Sequence, residues 1–145
     1  MAYTPIVVEG YSWNVVCHAE YFGDDIERYV THIEKIEGDS IINGVIYKKL
    51  WSYYPANPEA RTLKGLLRED ILEEKVWAYG NGLEALVYDF GVAVGDTISL
   101  LHWLHEMKSI NPEEIKEVQK DLIVVDVEMV TIADLEPIKK LTLRR

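Results

Sequence analysis

The chain has 145 residues, with 15 Lys and Arg against 25 Asp and Glu, for a net charge of −10 at pH 7. Nucleic acid and anionic bilayers are gripped by clustered cations, and here the basic residues come at most in pairs such as Lys48-Lys49 and Lys139-Lys140; both partners are therefore excluded as expectations. A single cysteine, Cys17, rules out an intrachain disulfide and a cysteine-based zinc site.

A domain of this length buries roughly 68–70% of its unfolded surface, so one domain spanning 1–145 folds without crosslinks or metals. No apolar run approaches the roughly 20 residues that cross a bilayer, so no transmembrane segment is expected. The start, MAYTPIVVEG, lacks the basic region and apolar core of a signal peptide. Met1-Ala2 equally fits a start placed after a removed signal.

In chain order, the first conflict is DDIERYVTHIEKIEG over 24–38. Ile26, Tyr29, Val30, Ile33 and Ile36 fit a helical stripe, with Asp24 as cap and Gly38 as stop. Next, IINGVIYKKLWSYY places Asn43-Gly44 between two apolar runs. Asn-Gly accommodates the two positive φ angles of a tight hairpin, and the following segment 45–54 is rich in β-branched and aromatic residues. Lys48 and Lys49 are strand neighbours and point to opposite faces, so they form no common basic patch.

TLKGLLR (62–68) and KVWAY (75–79) flank a charged turn at 69–74, and Gly80-Asn81-Gly82 introduces LEALVYDF (83–90). Both faces of 83–90 are apolar, which predicts a central strand covered on both sides. DTISL (96–100), LIVVDVEMVTI (122–132) and IKKLTLR (138–144) continue the pattern. Between them, NPEEIKEVQK (111–120) carries an Asn cap, a Pro at the first helical position and Glu114 three residues after the cap, which predicts a helix. The expectation is a mainly β fold, an antiparallel meander curled as a barrel or sandwich, with one helix near 111–120.

Chemistry is sparse. His102, His105 and Glu106 put two imidazoles three residues apart, but without the HExxH order of a zinc helix. A partly exposed structural helix accounts for them better, so no metal and no cofactor is expected. No nucleophile elbow, calcium loop or phosphate-binding glycine loop occurs. Cys17 reads as a small buried hydrophobe rather than a nucleophile. Asp89 and Asp96, flanking FGVAVG, are expected to bond nearby backbone amides.

The aromatic balance, nine Tyr and four Trp against two Phe, gives polar-handled rings. Trp51, Tyr53, Tyr54, Trp77 and Tyr79 are candidates to stack on a sugar or line an interface. The same residues also suit an ordinary half-buried sheet surface.

The series KIEGDSIINGVIYKKLW, LKGLLREDILEEKVWAY and LVYDFGVAVGDTI resembles a family of exported proteins common in Bacteroidetes. That family has motifs like I-x-G-D-T-I-I-N-G-K-x-Y-K-K-L, G-x-L-R-E-D…K-V-Y and L-L-Y-D-F…V-G-D-T. VEGYSWNVV and VTIADLEPIKKLTLR also look like it, whereas 101–121 matches weakly and looks like a local helical insertion. The resemblance implies an antiparallel β fold, a place outside the cytoplasm (periplasm, outer surface or secreted) and no particular catalytic residues. It also implies a strand over 28–37, and that implication is preferred over the helical stripe. The functional expectation is a non-catalytic binding or display module with a glycan or protein partner. The alternatives are a hydrolase with scattered Asp, Glu and His, and a structural spacer in a larger surface protein.

Overall fold

The structure is a computed structural model that describes residues 3–20, 27–101, 119–131 and 136–144, with backbone alone at 17–20, 27–28, 100–101 and 119–120. Nine strands make up its regular structure: β1 (Ser12–Glu20), β2 (Glu27–Ile42), β3 (Val45–Tyr53), β4 (Thr62–Asp70), β5 (Lys75–Gly80), β6 (Leu83–Asp89), β7 (Thr97–Leu101), β8 (Gln119–Val130) and β9 (Ile138–Arg144). Strands β1 to β6 pair in chain order as an antiparallel meander curled into a half-barrel, and β7, β8 and β9 form a second, three-stranded sheet. No helix occurs among the described residues.

The tight turns follow from their residues. Asn43-Gly44 takes φ of 49° and 79°, and Asn81-Gly82 takes 53° and 78°, so each two-residue loop has the twist that antiparallel strands require. They fix the registers Ile42↔Val45 and Gly80↔Leu83. Asp89 and Asp96 accept from the amides of Gly91 (3.1 Å) and Ala93 (2.8 Å), the local bonding expected of them.

Three bulges bend the large sheet. Ile36 pairs Leu50 and Asp39 pairs Lys48, which leaves Glu37-Gly38 opposite Lys49, with Gly38 at φ 86°. Lys64 is the extra residue between the pairs Leu50↔Gly65 and Trp51↔Leu63. Val87 is the extra residue between Val76↔Tyr88 and Trp77↔Leu86. An extra residue on one strand sharpens its bend and increases local twist, which is how a meander curls instead of lying flat.

Ile36, Leu50, Leu67, Val76, Ala78, Ala85 and Val87 form the buried cluster on the concave face. Ile98 and Val124 centre a second cluster, joined by Leu86, Leu122, Val127 and Leu143. A bulge between Val124 and Asp126 shifts the phase of β8, so that Val124 and Val127 both reach this cluster although they are three residues apart.

The strand preferred over 28–37 is present within β2, and two expectations change. The helical stripe at 24–38 is overruled from Glu27 onward, because β2 is paired on both sides, for example Val15↔His32 and Ile36↔Leu50. Those ladders satisfy its backbone groups, and β-branched Val30, Thr31, Ile33 and Ile36 suit a strand. Gly38-Asp39 lies at a bulge inside this one long strand. The strand β6 is an edge of the six-stranded sheet rather than central; its two apolar faces are explained by two clusters, Ala85 and Val87 in the first and Leu86 in the second. Finally, Gln119 and Lys120, placed in the expected helix, open β8 by pairing with Leu101 and Leu100; 111–118 lies outside the described residues.

Leu50 is fully buried at the centre of the first cluster. Leu50→Ala is therefore expected to lose about 2–5 kcal/mol in denaturant unfolding, and a loss under about 1 kcal/mol would contradict its place in the core. Gly91 has a different reason to be glycine: a Cβ there would stand 2.6 Å from the carbonyl oxygen of Glu73. Gly91→Ala should shift the β4–β5 turn and lower the thermal midpoint, whereas an unchanged midpoint would show that the two loops are further apart.

Candidate functional site: a strapped half-barrel cavity

Six strands curl without closing, so the concave face of the meander needs a cover. Residues 3–11 supply part of it as an extended strap, held by a carboxylate on β4. Glu69 accepts from the backbone amides of Ile6 (3.0 Å) and Val7 (3.0 Å) and from the Tyr3 hydroxyl. Further along, Gly10 donates to the Ile36 carbonyl at 2.8 Å, and the Ile36 amide donates back to Tyr11 at 2.9 Å. Glu9 accepts from the Gly38 amide and from Lys48, so the bulge in β2 is also a point of attachment. On the other side, Thr4 Oγ1 donates to the Pro137 carbonyl at 2.8 Å, which brings the start of β9 to the strap.

Between strap and sheet lies a cavity of about 550 Å³. Ile36, Leu67 and Val76 stand at its closed inner end, and Pro5, Ile6 and Val7 border it from the strap, with Ile6 and Val7 packed on the core. Tyr11, Trp13, Tyr88 and Ile138 line its sides, with Glu34 and Glu136 as its charged groups. Such a volume, mostly apolar with a few polar groups, is what small-molecule sites have in common.

Glu34 is the one buried charged residue among those described, at 6% exposure. Its phase on β2 aims it inward with Ile36. Trp13, its register partner on β1, donates its indole N–H to Oε2 at 2.9 Å. His32 Nε2 lies 3.3 Å from Oε1, and the Lys64 ammonium bonds the same oxygen. The bulge makes that last bond possible, because the extra residue on β4 is the one that turns to Glu34. Burial alone would raise the Glu34 carboxyl; the hydrogen bond and charge of Lys64, aided by His32 and Trp13, outweigh it and hold the group below the ordinary glutamate value. Tyr88 is pushed up, first by burial and then by the charge of Glu34, although 45% of its surface is accessible. Tyr88 lines the cavity.

The aromatic residues singled out in the sequence lie elsewhere. Trp51 and Trp77 each have a guanidinium over the ring, Arg61 at 4.0 Å and Arg68 at 5.2 Å. Trp51 also donates its indole N–H to the Glu37 carbonyl, and Tyr79 packs against Tyr47 at 5.3 Å. Tyr47 is buried and donates to Glu84, which Arg68 grips with two nitrogens (2.8 and 2.5 Å). These contacts build a laced sheet surface. Tyr53 and Tyr54 line a second, more polar cavity of about 390 Å³ with His32, Ser52, Thr62 and Lys64.

Among the described residues, no group of three or more His, Cys, Asp or Glu is placed to hold a metal. His102, His105 and Glu106 lie outside them, as does the side chain of Cys17. The residues missed in the sequence are Glu34, Trp13, Tyr11, Tyr88 and the strap. Once 27–42 is accepted as a strand, the spacing of Glu34 and Ile36 places a carboxylate on the inward face. The strap carries no such signal, because its bonds to Glu69 span more than 60 positions.

No family model, curated protein or solved structure matches the chain.

The lowered Glu34 value sets a direction for pH. Its stabilising contribution is complete above the ordinary value of 4.5 and is lost as pH falls through the lower folded value. Lys64→Met removes the main partner and should cost about 1–3 kcal/mol at pH 7. It should also flatten the loss of stability as pH falls below the ordinary glutamate value of 4.5. Parallel curves for the two proteins across that window would show that Lys64 does not hold the carboxylate.

Proposed function

We propose that the chain is a non-catalytic binding domain that receives a largely apolar small molecule in the half-barrel cavity, and that it works outside the cytoplasm, as its resemblance to exported proteins implies. The cavity's composition carries this reading: an apolar inner end and strap, aromatic sides, and a single buried carboxylate already engaged by three donors. A carboxylate saturated in this way and held below its ordinary value is a weak general base. It is better suited to fixing the wall than to moving protons, which argues for binding over the hydrolase alternative.

A second reading keeps the glycan expectation and gives it a place. Tyr53 and Tyr54, with the hydroxyls of Ser52 and Thr62 and the Lys64 ammonium, offer stacking and hydrogen-bonding groups around the second cavity. Tyr54, 60% exposed, is its most accessible ring.

The neutral apolar fluorophore N-phenyl-1-naphthylamine separates the surfaces. It should bind with blue-shifted, enhanced emission, and Val7→Trp, which fills the cavity from the strap, should weaken it at least tenfold. Trp51→Ala, Trp77→Ala and Tyr54→Ala should stay within twofold of the native chain. Weakening by the latter three and not by Val7→Trp would contradict the cavity reading. Retained binding of a pyranose oligosaccharide by Tyr54→Ala would remove the second.

A further inference from the structure

The cavity's charge selects its ligand. The lining contains two carboxylates and no Lys, Arg or His among the described residues. Glu34 is buried at the inner wall, and Glu136 is exposed where the cavity meets solvent. Lys64 balances Glu34 from the side of the second cavity, since it lines that space and not this one. Glu136 has no hydrogen-bond or ion-pair partner among the described residues. Among the described residues, a formal carboxylate therefore stands without a counter-ion at the mouth of an apolar, aromatic-walled space.

Resting on the cavity reading above, we infer that the ligand is a cationic amphiphile, an apolar chain or ring system bearing an ammonium group. A fatty carboxylate that entered tail-first would leave its charge beside Glu136; entering head-first, it would meet Glu34. Like charges in a space of low polarity repel strongly and unpaired anions are costly to bury. An ammonium head at the mouth instead meets the Glu136 carboxylate, whereas Glu34 is already paired with Lys64. The rings of Tyr11, Trp13 and Tyr88 add faces that attract cations, quaternary ammonium groups included. The preferred orientation is tail-first. The chain then packs between the strap and the rings of Tyr11, Trp13 and Tyr88, and the head stays near Glu136, where solvent limits the cost of desolvating the charge.

The experiment is a competition at pH 7 and low salt, with the full chain and bound N-phenyl-1-naphthylamine. Dodecyltrimethylammonium and dodecanoate are added separately, each below its micellar concentration. The ammonium should displace the probe at a concentration at least tenfold below that of dodecanoate. Glu136→Lys should reduce that preference to under threefold or invert it. Glu59→Lys, an exposed change of equal net charge, should leave it intact. Equal or better displacement by dodecanoate overturns the inference while the bound probe keeps the cavity reading. A preference unmoved by Glu136→Lys, or lost equally in Glu59→Lys, also overturns it, because the net charge of the chain would then be the cause. If the neutral probe does not bind the native chain at all, the cavity reading fails first.

Discussion

A sheet of six strands bent by three bulges has a concave apolar face and two edges, and it cannot bury that face by closing on itself. This constraint organises the rest of the molecule. One edge strand, β6, sends Leu86 to the second sheet. The open mouth is crossed by the strap, which Glu69 holds by two backbone amides and one phenol. A carboxylate that accepts several such donors forms charge-assisted bonds, stronger than neutral ones, and exposed backbone amides find in it the partners a closed barrel would have supplied. The cover is a single extended chain rather than a packed layer. Ile6 and Val7 seal the core cluster, and the cavity opens beside them toward Tyr11, Trp13 and Tyr88, where the narrow cover ends.

The bulges link fold to site more directly than the turns do. Lys64 sits opposite no partner residue of its own, and that irregularity is what delivers its ammonium to Glu34. The Gly38 bulge offers an amide to Glu9 and so anchors the far end of the strap. The Val87 bulge places Tyr88 opposite Val76, where both line the cavity. Each deviation from regular pairing has a side chain or amide that depends on it, as expected where bulges re-aim groups toward a site.

The sequence made the strands and hairpins legible, because their signals are local. Asn43-Gly44 and Asn81-Gly82 announce their turns, and β3, β5 and β9 fall close to where β-branched and aromatic residues put them. Periodicity failed at β2: Ile26, Tyr29, Val30, Ile33 and Ile36 satisfy a helical spacing, and pairing on both sides decides otherwise from Glu27 onward. The site was illegible for a related reason. Glu34 gains its meaning from Trp13, His32 and Lys64, two of which come from other strands, and the strap from a glutamate far along the chain. The exposed-looking tryptophans drew attention instead, although Trp51 and Trp77 are each covered by an arginine.

The central claim is that the concave, strapped face is the working surface and the convex aromatic face is structural. Two-dimensional NMR of the chain titrated with N-phenyl-1-naphthylamine tests it most directly. The account predicts the largest shift changes at Val7, Trp13, Ile36, Val76 and Tyr88. Changes centred on Trp51, Trp77 and Tyr79, with the strap and inner end unmoved, would contradict it.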